Sequence, residues 1–367
     1  MRTDEPAPAP DTHPDVSGAP VGEAPVSRLG TALFRAARAQ RDVVAAVLRR
    51  RGWSFAVLPF PGYGVDGSAR VLARVVLAAP GREPSAVRGV AAWRRLLTLQ
   101  RSRVTVEVTE QGPDGRTGQV HRVRSGPGGI VDVALPWSAE PGTHTASWRV
   151  GDRPPVQAPV HVADPGARAG IVCDIDDTAL VTGLDRPLSA AWRTLTRAFR
   201  QRVAVEGVPD LLAAVHDELG GEHTPVVYLS TGPWNFADPL TRFLHRNGFP
   251  AGALLMTDWG PSSGGVFRDG RAHKRRSLQR LRADFPDVRW FLVGDDGEND
   301  PAIYEEFARE NEGHVLAVAL RQVGADVGPD TTGDDATVRV RDGAAPVVRG
   351  TDGHVLLRRY RAATGGR

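Results

Sequence analysis

The sequence predicts two folded units: a small mainly β unit, followed by an α/β unit built on a parallel sheet. Two patterns predict this division. Between residues 53 and 163, short runs rich in Val and Thr follow one another between Gly, Pro and Asp, the rhythm of a small antiparallel sandwich or barrel. From residue 170 onward, apolar runs of strand length alternate with stretches of helical periodicity. Such alternation forms a parallel sheet with helices on both faces. A chain of 367 residues has room for both.

Residues 1–25 contain six prolines among Ala, Asp and Glu and read as a disordered leader. Residues 26–164 read as one accessory unit, opened by a basic helix. In it Leu29, Leu33, Ala36, Val43 and Val47 recur at helical spacing with arginines between them. Such a stripe packs on its own domain or lies on an anionic membrane. Strands are expected at 55–64, 69–78, 103–111, 118–125, 129–137, 144–150 and 158–162, with one helix at 85–99. No catalytic pattern falls in them, so this unit reads as an accessory or targeting module.

Asp164-Pro165-Gly166-Ala167 marks a boundary, and residues 165–323 carry the alternating pattern. Strands are expected at 170–173, 225–229, 253–256, 289–293 and 314–320. Helices are expected at 189–202, 209–219, 235–247, 274–284 and 300–310. Residues 324–367 remain as a tail with a hairpin expected near 337–357.

Composition excludes several classes. The single cysteine, Cys173, rules out an intramolecular disulfide and every multi-cysteine metal site, and fits a reducing compartment. No window approaches the roughly 20 apolar residues of a bilayer span, and the N-terminus lacks the basic and apolar regions of a secretory signal. A cytoplasmic protein is expected. Residues 26–103 hold fifteen arginines against Asp42, Asp66 and Glu83. That block either forms solvated helix faces or draws an anionic surface; peripheral contact with an anionic membrane is expected, and nucleic acid is not. The chain is rich in arginine yet has one lysine, Lys274. A compact ammonium does what a broad guanidinium cannot beside a phosphoryl group.

Ligands in doubly covered parallel sheets bind at the carboxyl ends of the strands. Reading those ends in order gives Asp174-Ile-Asp176-Asp177-Thr178, then Ser230-Thr231, then Lys274 opening a helix, then Gly294-Asp295-Asp296-Gly297-Glu298-Asn299-Asp300. Carboxylates gathered on one rim repel one another unless a divalent cation joins them, and hard oxygen donors suit Mg²⁺. One aspartate can then attack phosphorus to form an aspartyl-phosphate. A second, two residues on, can protonate the leaving alkoxide and later deprotonate water. Ser230 can hold a phosphoryl oxygen, and Lys274 can balance charge on nucleophile and transferring group.

The run DIDDT, with Ser230, Lys274 and GDDGEND following in that order, resembles the four motifs of the haloacid-dehalogenase-like (HAD-like) phosphohydrolase superfamily. More narrowly, VCDIDDTALVTG, VVYLSTGPWN, AHKRRSLQRL and FPDVRWFLVGDDGENDPAIY are similar to the catalytic domain of the phosphatidate phosphatase family of the fungal actin-patch type. The resemblance implies a Rossmann-like, HAD-like sheet, with Asp174 as nucleophile and Asp176 as general acid/base. It implies Thr178, Ser230 and Thr231 on the substrate side and Lys274 as the third motif. Mg²⁺ would sit on Asp174, Asp295 and the Asp176 carbonyl, supported by Asp300.

About 50 residues separate Thr178 from Ser230 and about 40 separate Ser230 from Lys274. Core elements consume most of both intervals, so no large cap domain is expected. An open site suits a phosphate displayed on a bilayer, and phosphatidate hydrolysis to diacylglycerol is the expected reaction. The alternatives are a phosphatase of a soluble metabolite or phosphorylated macromolecule, and a non-catalytic scaffold for anionic membrane or nucleic acid. His216, His223, His245 and His273 lack ligand spacing, and Trp192, Trp234, Trp259 and Trp290 read as packing residues.

Overall fold

The computed structural model describes residues 43–81, 100–112, 116–181, 203–257, 270–297, 299–323, 337–339 and 345–365. The leader, the helices expected at 85–99 and 189–202 and most of the basic helix lie outside these residues; of the last, residues 43–50 are helical.

Seven strands form the β unit: β1 (Ser54–Val65), β2 (Ser68–Ala78), β3 (Thr105–Gln111), β4 (Thr117–Arg124), β5 (Ile130–Pro136), β6 (Gly142–Arg149) and β7 (Val156–Val162). They make one sheet in the order β4-β3-β6-β7-β1-β2-β5. The β1–β2 hairpin turns on Asp66-Gly67, both with positive φ (49° and 72°), as a tight turn matched to strand twist requires. A register shift between Phe60 and Tyr63 lets β1 pair with β2 on one side and, through Gly62–Gly64, with β7 on the other. That β1–β7 pair is parallel, a departure from the wholly antiparallel unit expected. Val71, Val106, Val108, Trp148 and Val160 fill the unit's own core.

The α/β unit follows as β8 (Ala169–Asp174), α1 (Val208–Leu219), β9 (Val226–Pro233), α2 (Ala237–Arg246), β10 (Ala253–Thr257), α3 (Gly270–Asp284), β11 (Arg289–Asp295), α4 (Asp300–Glu310), β12 (Val315–Arg321), β13 (Thr337–Arg339), β14 (Pro346–Gly350) and α5 (Gly353–Thr364). Its sheet runs β10-β9-β8-β11-β12-β14-β13, parallel throughout except for the β13–β14 hairpin. All of β10 and nearly all of β8, β9 and β11 are buried, as strands covered on both faces must be. The chain moves outward from β8 to β10 and then returns to the other side of β8, so the order reverses there. In such sheets ligands bind at the carboxyl ends of the strands where the order reverses, here the end of β8.

Three local expectations are corrected. Helix α3 begins at Gly270, so Lys274 stands one turn inside the helix, not at its opening; the glycine, a poor helix former, hid the first turn. Strands β9 and β11 run on to Pro233 and Asp295, which puts Ser230 and Asp295 within strands and not in the loops after them. Residues 353–357, read as hairpin, are helical. Asp352 caps that helix by accepting from the Val355 amide at 2.9 Å. The segment after 323 thus supplies β13, β14 and α5 to the second sheet. Among the described residues no helix is long and apolar enough to cross a membrane.

Candidate active site

Asp174 is the last residue of β8 and is 1% exposed. Beyond it the backbone turns sharply, with the amides of Ala179 and Leu180 both donating to the Ile175 carbonyl at 3.0 Å. Asp177 takes a left-handed φ of 54° in this turn, a conformation Asp tolerates better than most side chains. Arg321, at the end of β12, steadies it by donating from Nη1 to the Asp177 carbonyl at 2.6 Å.

The same turn carries Asp176 to β9. Ser230 Oγ donates to Asp176 Oδ2 at 3.0 Å and accepts from the Gly232 amide at 3.0 Å. Thr257, at the end of β10, donates to the Thr231 carbonyl at 2.6 Å. The Thr231 side chain lies against the head of α3, where a Cβ at Gly270 would come within 2.9 Å of Thr231 Cγ2. Thr178 is fully buried, and its hydroxyl makes no hydrogen bond among the described residues.

Lys274, 2% exposed, reaches up from α3 between two acids. Its Nζ lies 2.6 Å from Asp174 Oδ1 and 2.5 Å from Asp300 Oδ1. Burial disfavours its charge, but Asp174 and Asp300 outweigh that and raise its pKa. Burial lifts the Asp174 carboxyl well above the usual carboxylate range; Lys274 opposes the shift, and Asp300, Asp176 and Asp295 reinforce it. Asp295 ends β11 and accepts from the Gly297 amide at 2.7 Å. Asp300 opens α4 and fits because residue 294 is glycine: a Cβ there would lie 2.6 Å from Asp300 Oδ2.

One carboxylate oxygen from each of Asp174, Asp295 and Asp300 lies within 4.8 Å of the others. The Asp174 and Asp300 Oδ2 atoms are buried and accept no hydrogen bond among the described residues. The structure therefore brings Asp174, Lys274, Asp295 and Asp300 into one buried cluster, with Asp176 and Ser230 joined beside it. The Asp176 carboxylate is not part of the three-acid group.

Arg321 and Thr257 were not foreseen, yet both end parallel strands and the strand-end rule would have found them. His273 is half-buried next to Lys274, and desolvation of its ring lowers its pKa to about 4, so it stays neutral. Trp234 stacks on Phe60 and Trp290 is fully buried, whereas Trp192 and Trp259 lie outside the described residues.

Residues 169–322 match the family described as phosphatidate phosphatase APP1, catalytic domain. The family is the one the motifs resemble. Phosphatidate phosphatase APP1 of Saccharomyces cerevisiae is 26% identical over 153 residues, covering 41% of this chain and 25% of that protein. An uncharacterized protein of Schizosaccharomyces pombe is 26% identical over 158 residues, 42% of this chain and 25% of that one. The aligned part is thus about a quarter of each relative's length. Among solved structures, one of the Pnkp1/Rnl/Hen1 complex is 18% identical with a TM-score of 0.31, over 46% of this chain and 54% of that one. That likeness is too distant to carry fold or function.

Proposed function

We propose that the α/β unit is a Mg²⁺-dependent phosphomonoester hydrolase of HAD-like, Rossmann-like fold whose substrate is phosphatidate, released as diacylglycerol and phosphate. The observation that carries this reading is the chain's only lysine, buried between Asp174 and Asp300 with Asp295 in the same cluster. The family match over residues 169–322 supports the substrate.

The residues present fit a magnesium ion. Asp174, Asp295 and Asp300 bring hard oxygen donors together, the Oδ2 atoms of Asp174 and Asp300 accepting no hydrogen bond among the described residues, and one ammonium does not balance the surrounding acids. Asp174, Asp295 and the Asp176 carbonyl would hold the ion, with Asp300 in support. When bound it lowers the repulsion between an anionic nucleophile and an anionic phosphate.

Asp174 attacks phosphorus through a carboxylate oxygen, forming the acyl-phosphate bond as the ester P–O bond breaks. Asp176, oriented by Ser230, gives its proton to the departing alkoxide and then takes one from the water that hydrolyses the aspartyl-phosphate. Lys274 keeps Asp174 oriented and offsets charge on the transferring group. Thr231 offers its hydroxyl to a phosphoryl oxygen; Ser230 has one proton to donate, which goes to Asp176 in this structure, and turns it to the phosphoryl group when substrate binds. Peripheral contact of the arginine-rich N-terminal segment with anionic lipid would bring the site to its substrate.

The test is phosphate release from phosphatidate vesicles against soluble phosphomonoesters, each with and without EDTA. EDTA-sensitive release favouring phosphatidate is expected. Preference for a soluble ester would overturn the lipid assignment, and vesicle binding with no release from any ester would favour a scaffold.

A further inference from the structure

The β unit shares its core with the α/β unit. Phe60, Tyr63 and Leu72 pack in the large cluster around β8 to β12, not with the β unit's own core. Phe60 stacks on Trp234 with ring centroids 4.5 Å apart and 19° between planes. Trp234 stands four residues after Ser230, directly beyond β9.

A second set of contacts grips α3. Tyr63 donates to Asp284 at 2.6 Å, and Arg70 bridges Asp284 at 3.2 Å and Asp132 at 2.8 Å. Asp132 also accepts from Arg280 at 2.8 Å. Arg280 and Asp284 lie on the helix that carries Lys274, whose other side is tied to α4 through Arg275 and Glu306.

We propose that the β unit is a fixed part of the catalytic site: Phe60 on Trp234, and Arg70 with Asp132 on α3, position the Ser230 strand end and the Lys274 helix for phosphoryl transfer. This gives the unit expected to be an accessory or targeting module a positioning role. It rests on the phosphohydrolase reading for its effect on rate, though not for its effect on order. Rigid parts transmit displacement because packed interiors deform little, and a misplacement of about 1 Å costs on the order of 100-fold in rate.

The test uses the full chain. Phe60→Ala should lower kcat by about 10- to 100-fold with KM little changed, and Phe60→Tyr should restore it. Amide exchange should rise at 230–234 while β3 and β6 stay protected. Asp132→Asn, a milder change at a partly exposed carboxylate, should lower kcat several-fold and raise exchange along the second half of α3. Arg122→Ala, on the far strand β4, should change neither. Wild-type kcat and exchange in both interface variants would overturn the proposal. Should Phe60→Ala unfold the β unit, Asp132→Asn decides alone. If wild type hydrolyses no phosphomonoester, the active-site reading fails, while the exchange data still decide whether the β unit orders the Ser230 strand end and the Lys274 helix.

Discussion

Removing the ammonium at the centre of the cluster, by Lys274→Met, is the most informative single change. Two acids stand 2.6 and 2.5 Å from Nζ, and the lysine is 2% exposed. The methionine fills most of the space but leaves Asp174 and Asp300 buried without their cation. Breaking a buried pair in this way costs about 3 to 5 kcal/mol, chiefly the penalty of uncompensated charge. The loss should depend on pH with a definite sign. Without Lys274 to oppose the upward shift on Asp174, the folded state binds protons that the unfolded chain, titrating near about 3.9, has released. Stability of the variant should therefore recover as pH falls from 7 toward 5, relative to wild type. Urea unfolding of both proteins at the two pH values, in EDTA, measures this. A loss under about 1 kcal/mol at pH 7, or one that does not shrink at pH 5, would refute the argument.

Asp174→Asn and Asp176→Asn should each abolish Mg²⁺-dependent phosphate release while circular dichroism stays native; normal turnover by either would exclude its assigned role. Lys274→Arg retains the charge but not the compact geometry, and kcat should fall by at least about 10-fold, read by the same assay. Gly294→Ala puts a Cβ 2.6 Å from Asp300 Oδ2, so overpacking should cost about 1 to 3 kcal/mol in a melt and reduce phosphate release.

Much of the site was legible because the strand-end rule is geometric. Once β8, β9 and β11 are recognised as parallel strands, Asp174, Ser230 and Asp295 must gather on one rim, however far apart they stand in sequence. The exact partners were not legible. Asp300 was read as a support for metal, yet it also holds Lys274, because helix α4 starts where its first residue faces α3. The role of the β unit was the least visible. Phe60 and Tyr63 look like ordinary strand residues, and the register shift between them is what lets both face the second core. Helix α5 was missed for a local reason: Val355-Leu356-Leu357 suits either strand or helix, and its cap at Asp352 settles the matter.

The central claim is that Asp174 takes the phosphoryl group. Its most direct test is rapid-quench mass spectrometry of Asp176→Asn with p-nitrophenyl phosphate, whose leaving group needs no proton. One equivalent of p-nitrophenol per enzyme and a phosphoryl adduct on the peptide containing Asp174 are expected. Neither burst nor adduct, from a preparation whose wild type turns over, would contradict the account.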